Sequence, residues 1–337
     1  MAKAKTSWSR GLSVPLYVKT GDDSAFWFSP DAEVLSAAEG ILSGSESGLF
    51  AVVFNKTKLD EYRAKYRLSF EIFASFTTGS MLPNVFECLQ GFDICNFSLK
   101  IFHDHIKTID KTELPGILLD IPVNGLDDLT CKDREIFSNY LGAATYLAHA
   151  GDLVDCIFSL AEELRTDAFY EMLDKYKSKI DEALADTVNE LDASSPLEYS
   201  DKLLRKNMRR RGPYDFYAFA PTVFSRYRAV RYIGAEQFMF FTVQDAVYDN
   251  EQTLRKLKSL ADDTRFRIVS LLKEKGGLGG SEIVDATGLS ASTVSHHMKN
   301  LREAGLVHEE TDGTAKYYSL PTDITQSLVD ALKEFLP

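Results

Sequence analysis

The chain has 337 residues and a net charge of −12, with 45% hydrophobic and 26% charged residues. That composition fits soluble globular domains, and the length allows two cores. No apolar run approaches the roughly 20 residues that span a bilayer, and no signal-peptide core follows the basic start MAKAKTSWSRGL, so no membrane partner and a cytoplasmic location are expected. Residues 251–337 hold 11 Lys/Arg and 13 Asp/Glu, so the acidity lies mostly ahead of them. A negative total does not exclude DNA, because only a docking face must be positive.

In chain order, Leu12 to Lys19 and Ala25 to Phe28 read as short strands. Asp31, after Pro30, is the expected cap of a helix reaching Leu42. Leu59, Tyr62, Tyr66, Phe70 and Phe73 keep helical spacing between Lys58 and Phe76. The longest helix is expected over Asp167 to Leu191, with Phe169, Met172, Ile180, Leu184 and Val188 as its apolar stripe. Ser195-Pro196-Leu197-Glu198 is a capping box opening a helix to about Met208. Asp215 to Gln244 is rich in Tyr, Phe and Val, which suits two or three strands. The polar stretch from Asp245 to Glu251 marks a boundary between a domain over 1–245 and another over 246–337. The fold class that follows is α+β, mainly α, with a large helical N-terminal domain that carries some strands.

The last segment is the most legible. Leu254, Leu257 and Leu260 begin a helix, and Asp262-Asp263 can cap the next, where Phe266, Ile268, Val269, Leu271 and Leu272 should be largely buried. Gly276 to Gly280 breaks that helix. Ser281 is the expected cap of SEIVDAT, which stops at Gly288. Ser290 caps LSASTVSHHMKNLREAGLV, which stops at Gly305. Leu306 to Glu310 and Lys316 to Leu320 are strands around the turn signal Asp312-Gly313. A final helix from Thr322 to Leu336 aligns Ile324, Leu328, Leu332 and Phe335. Helix, short turn, helix and hairpin are the parts of a winged helix-turn-helix, whose second helix fits the major groove while the first braces it.

Within that second helix, Val294, Met298 and Leu301 share the core face, which leaves Ala291, Ser292, Thr293, Ser295, His296 and Lys299 outside. Short hydroxyls near a helix N-terminus approach bases and phosphates closely. The Thr293 methyl suits thymine and His296 offers a donor or acceptor. Lys299 and Arg302 can neutralise phosphates, and Thr314, Lys316 and Tyr317 extend the face along the wing. The DNA-contact set is therefore Ser290, Ser292, Thr293, Ser295, His296, Lys299, Arg302, Thr314 and Lys316.

The runs LADDTRFRIVSLL, LSASTVSHHMKNLREAGLV and DGTAKYYSL occur in this order over the last quarter of the chain. This region resembles the ArsR-type winged-helix repressors. The resemblance implies a homodimer on palindromic double-stranded operator DNA, with the helices around Glu251 to Leu260 and Thr322 to Leu336 at the dimer interface. Metal-sensing members carry cysteines before the recognition helix or His/Asp ligands in the last helix. SEIVDAT has no cysteine and Thr322 to Pro337 no histidine, so neither metal site carries over. The first 245 residues resemble the large N-terminal extension of some regulators of this type, and a small-molecule effector or a partner is expected there.

Other features have bland readings. His296 and His297 point about 100° apart on a helix and do not converge on one ion. His103-Asp104-His105, with Cys88, Cys95 and Cys131 as further candidate ligands, would chelate on a strand, but NFSLKIFHDHIKTID reads as helix, where the two histidines diverge. Arg209, Arg210 and Arg211 end a helix favourably for its dipole, and a second phosphate contact is the functional alternative. All four cysteines, Cys88, Cys95, Cys131 and Cys156, read as free thiols. No nucleophile elbow, phosphate loop or paired-acid pattern stands out, so no catalytic residue, metal or cofactor is assigned. The competing reading is an enzymatic or metal-binding N-terminal domain, with the winged helix used for protein–protein assembly.

Overall fold

The computed structural model describes residues 15–44, 56–77, 82–121, 136–204, 213–224, 229–233, 235–243, 250–312 and 315–321. The chain divides into two compact units, one of residues 1–197 with 213–244, the other of residues 198–212 with 245–337. The final helix expected from Thr322 lies outside the described residues, as do Thr314, Cys131 and Arg209, Arg210 and Arg211.

The first unit is built on a five-stranded sheet in the order β1-β2-β3-β5-β4. Its strands are β1 (Leu16–Lys19), β2 (Ser24–Phe28), β3 (Phe216–Thr222), β4 (Ala229–Ile233) and β5 (Glu236–Thr242). β2, β3 and β5 run parallel, and β1 and β4 pair antiparallel at the edges. Every residue of β2 (SAFWF) is buried, as expected for an inner strand covered on both faces.

The helices of this unit fall between β2 and β3 in sequence. They are α1 (Pro30–Ser43), α2 (Lys56–Lys65), α3 (Arg67–Ala74), α4 (Leu99–Ile106), α5 (Leu114–Leu118), α6 (Tyr140–Leu164), α7 (Asp167–Lys175) and α8 (Lys177–Ala193). α9 (Pro196–Leu204) follows, and from Glu198 onward it belongs to the second unit. Two helices expected to be continuous are each split in two. Lys58 to Phe76 breaks at Tyr66, and Asp167 to Leu191 breaks at Tyr176 (φ −92°, ψ −1°). The longest described helix is instead α6, with 25 residues and an irregular His149 inside it.

Asp31 is not the cap of α1. Ser29 accepts from the Ala32 N–H, and Pro30 occupies the first turn. Three carboxylates of α1 bind backbone elsewhere. Asp31 Oδ2 accepts from the Leu99 N–H (3.0 Å), Glu39 Oε1 from Val85 (2.8 Å), and Glu33 Oε2 from both Val223 and Phe224 (2.9 Å each). Burial pushes the Glu33 carboxyl up to about 7, against the pull of these bonds.

The second unit contains α10 (Asn250–Leu260), α11 (Asp263–Lys275), β6 (Leu278–Gly279), α12 (Gly280–Thr287), α13 (Ala291–Glu303), β7 (His308–Asp312) and β8 (Ala315–Ser319). The three strands form a sheet in the order β6-β8-β7. Ile268, Leu272, Ile283, Val294, Met298, Leu301, Leu306 and Tyr318 make its core. Phe266 departs from expectation, being 57% exposed. Ser281 is not the cap of α12 either. Gly279 holds that position, and Glu282 Oε2 accepts its N–H at 2.6 Å.

Candidate nucleic-acid interface

α12 and α13 are joined by a turn at Gly288, whose φ of +68° is the left-handed region that a side chain disfavours. Ser290 then caps α13. Its Oγ accepts the Thr293 N–H at 3.2 Å and lies 2.9 Å from Ser292 Oγ and 2.8 Å from Thr293 Oγ1. Three hydroxyls thus share one web at the N-terminus of the helix. Val294, Met298 and Leu301 are buried, as their spacing predicts, and Ala291, Ser292, Ser295, His296 and Lys299 are exposed. Thr293 is half-buried.

The two adjacent histidines separate. His296 is exposed and its Nε2 lies 3.3 Å from Asn300 Nδ2. His297 is half-buried, with Nδ1 3.9 Å from Asp262 Oδ1. Asp262 caps α11 by accepting the Arg265 N–H, the main cause that holds its carboxyl below the usual range.

Lys299 lies 3.9 Å from Glu303, one turn along the helix. Arg302, expected as a phosphate contact, and Lys316, expected to extend the face along the wing, meet on one carboxylate. Glu309 Oε1 accepts from Arg302 Nη1 at 3.0 Å and from Lys316 Nζ at 3.2 Å. A concavity of about 720 Å³ opens between the N-termini of α12 and α13 and the wing strand β8. Ser281, Ser295 and Lys316 line it, one from each element. Two features of this site were missed at the level of sequence. β6 is only two residues long inside a glycine run, too short for a periodic signal. Glu309 becomes visible only from the hairpin register, which sets it opposite Tyr318.

In the first unit, α4 is the helix that NFSLKIFHDHIKTID predicts, and its histidines diverge. His103 Nε2 lies 2.7 Å from Asp155 Oδ1 and its ring stacks on Phe158 at 4.3 Å, whereas His105 Nε2 meets the Cys88 carbonyl at 3.1 Å. Cys88 is buried and Cys95 exposed, and both are free. Among the described residues, no group of three or more His, Cys, Asp or Glu side chains is placed to hold a metal, and no helix is long and apolar enough to cross a membrane.

Residues 262–309 match the model of the bacterial regulatory protein arsR family. The arsenic resistance transcriptional regulator ArsR1 of Pseudomonas putida is 37% identical over 86 residues, covering 23% of this chain and 67% of that protein. The transcriptional repressor SdpR of Bacillus subtilis is 30% identical over 79 residues, covering 23% of this chain and 87% of its own length. Among solved structures, the homodimeric winged helix-turn-helix domain of a possible ArsR-family regulator from Mycobacterium bovis aligns at 29% identity. It covers 27% of this chain and 88% of that one, with a TM-score of 0.23. These matches cover about a quarter of the chain, and the first unit lies outside them. Through its winged helix-turn-helix, this chain belongs to the arsR family of bacterial transcriptional regulators.

Proposed function

We propose that the protein is a repressor that binds operator DNA as a homodimer, and that its first unit receives a small-molecule effector or a partner. The observation that carries the DNA reading is the division of α13. Its apolar side chains are buried, and Ser292, Ser295, His296 and Lys299 stand exposed beside a groove shared with α12 and the wing. A hydroxyl-rich N-terminus and a cationic middle suit phosphates and base edges, and a protein interface core would disfavour the charge.

In this reading Ser290 and Ser292 position the helix on the backbone. The Thr293 methyl and His296 read bases, and Lys299 neutralises a phosphate. Leu254 and Phe266, 50% and 57% exposed on α10 and α11, support a second copy of the winged unit as partner. The first unit has more residues than dimerisation requires, which supports a sensing role. No catalytic step is assigned to it.

The test is binding of the purified chain to duplex DNA from upstream of its own reading frame. Thr293→Ala and His296→Ala should relax base preference at single positions, by about 1–3 kcal/mol each. Lys299→Ala should weaken all sequences alike. Equal losses at every base for all three variants would refute these roles, and absence of salt-sensitive binding would refute the DNA reading itself.

A further inference from the structure

The geometry points to Glu309 as a positioning residue that fuses Arg302 and Lys316 into a single phosphate contact carrying one net positive charge. This rests on the DNA reading above. Arg302 comes from the last turn of α13 and Lys316 from the wing strand β8, yet both donate to the same Glu309 oxygen. Their nitrogens are therefore no farther apart than the sum of two hydrogen bonds. One phosphate can bridge that gap, because its oxygens each accept a charge-assisted bond of about 2.8 Å.

Exposure decides which of the three groups meets DNA. The Glu309 side chain is 14% exposed, against 46% for Arg302 and 52% for Lys316. The carboxylate sits beneath two cations that face solvent. In the hairpin register Glu309 pairs with Tyr318, which is buried in the core of the unit. Glu309 is thereby held against the core, and the cations are held by Glu309. Arginine has five N–H donors and lysine three, so each retains donors for a phosphate beyond the one spent on the carboxylate.

The charge of the trio has a consequence that two independent cations would not. Two positive groups and one negative sum to a single positive charge. Removing either cation leaves the other neutralised by Glu309, and removing both leaves the bare carboxylate, a negative charge, facing the phosphate. Replacing Glu309 by Gln keeps an acceptor of the same shape and releases both cations to act separately.

The experiment measures binding of the full chain to a labelled duplex from upstream of its own reading frame, between about 50 and 200 mM salt. Variants are E309Q, R302A, K316A and the R302A/K316A pair, each cation change also made with E309Q. The expected result is that R302A or K316A alone loses the charge of the contact, because Glu309 neutralises the remaining cation. Adding E309Q to either single variant should restore part of that loss, because the remaining cation is then unneutralised. E309Q alone should steepen the salt dependence, adding about a 3-fold further loss of affinity over that salt range per winged unit, the effect of one more counterion released. No restoration by E309Q, or an E309Q salt dependence no steeper than wild type, overturns the proposal while leaving the DNA reading intact. A wild-type chain that shows no salt-sensitive binding removes both together. If E309Q fails to fold, seen as a lost circular-dichroism melt, the same comparisons made with Glu309→Ala decide.

Discussion

Glu33 is a buried carboxyl whose partners are the backbone N–H groups of Val223 and Phe224 and the Thr222 hydroxyl. Its folded value of about 7 lies above the ordinary 4.5. Below about pH 4.5 the proton is bound in both folded and unfolded chains, and the stabilisation is fully present. As the pH rises toward 7 the unfolded chain releases a proton that the folded chain keeps, and stability falls until the folded group also ionises. Urea unfolding followed by Trp27 fluorescence should therefore show wild type losing about 2–3 kcal/mol more than Glu33→Gln between pH 5 and pH 8. The Gln side chain offers the same acceptor oxygen to both N–H groups and does not titrate. Equal pH dependence in the two proteins would show that Glu33 does not ionise across this range.

At the scale of elements, two joints hold the winged unit in shape. The corner between α10 and α11 is closed from both sides. Asp262 accepts the Arg265 N–H, and the Arg265 guanidinium donates back to the carbonyls of Ser259 (2.8 Å) and Lys258 (3.3 Å) at the end of α10. Arg265→Ala should cost about 1–3 kcal/mol in a thermal melt, through acceptors left unpaired. The second joint is Gly288. A Cβ there would touch nothing within 4 Å, so Gly288→Ala should cost about 1–2 kcal/mol from its positive φ alone, and a Gly288→Asn variant should recover part of the loss.

These joints also show what sequence could reveal. Asp262, Ser290 and Gly288 were legible because caps and left-handed stops act through the residue that carries them. The inner face of α13 was legible because Val294, Met298 and Leu301 repeat with the helical period. The break at Tyr176 was not, because the apolar spacing of Phe169, Met172 and Ile180 runs on across it and all three are buried. The roles of Asp31 and Glu33 were hidden for another reason. Asp31 reads as a helix cap and nothing marks Glu33, because only tertiary structure delivers the distant N–H groups they accept. Phe266 misled because its neighbours Ile268 and Leu272 are core, and periodicity cannot say which apolar residue is left for a partner.

At the scale of the whole molecule, the exposed Leu254 and Phe266 predict an assembly larger than one chain. Light scattering behind a sizing column should give a dimer for wild type, and Phe266→Asp should shift it toward monomer by placing charge in a desolvated interface. A monomeric wild type would sink that part of the reading. The chain's −12 charge opposes general attraction to a polyanion, so in the proposed reading DNA binding comes from the local cations of α13 and the wing and should fall steeply with salt.

The position of β3 in the sheet also governs the order in which the protein can be made. β2 ends at Phe28, yet its parallel neighbour begins at Phe216, so nearly two hundred residues leave the ribosome before the inner strands can meet. Until then the SAFWF strand, apolar but for Ser24, has an open edge, and Glu33 lacks the backbone groups that enclose it. Contacts this distant in sequence close slowly, and an unpaired apolar edge invites pairing with other chains. A chain cut after Leu204 should accordingly sediment with the insoluble fraction when expressed. One extended through residue 244, which supplies β3, β4 and β5, should remain in solution.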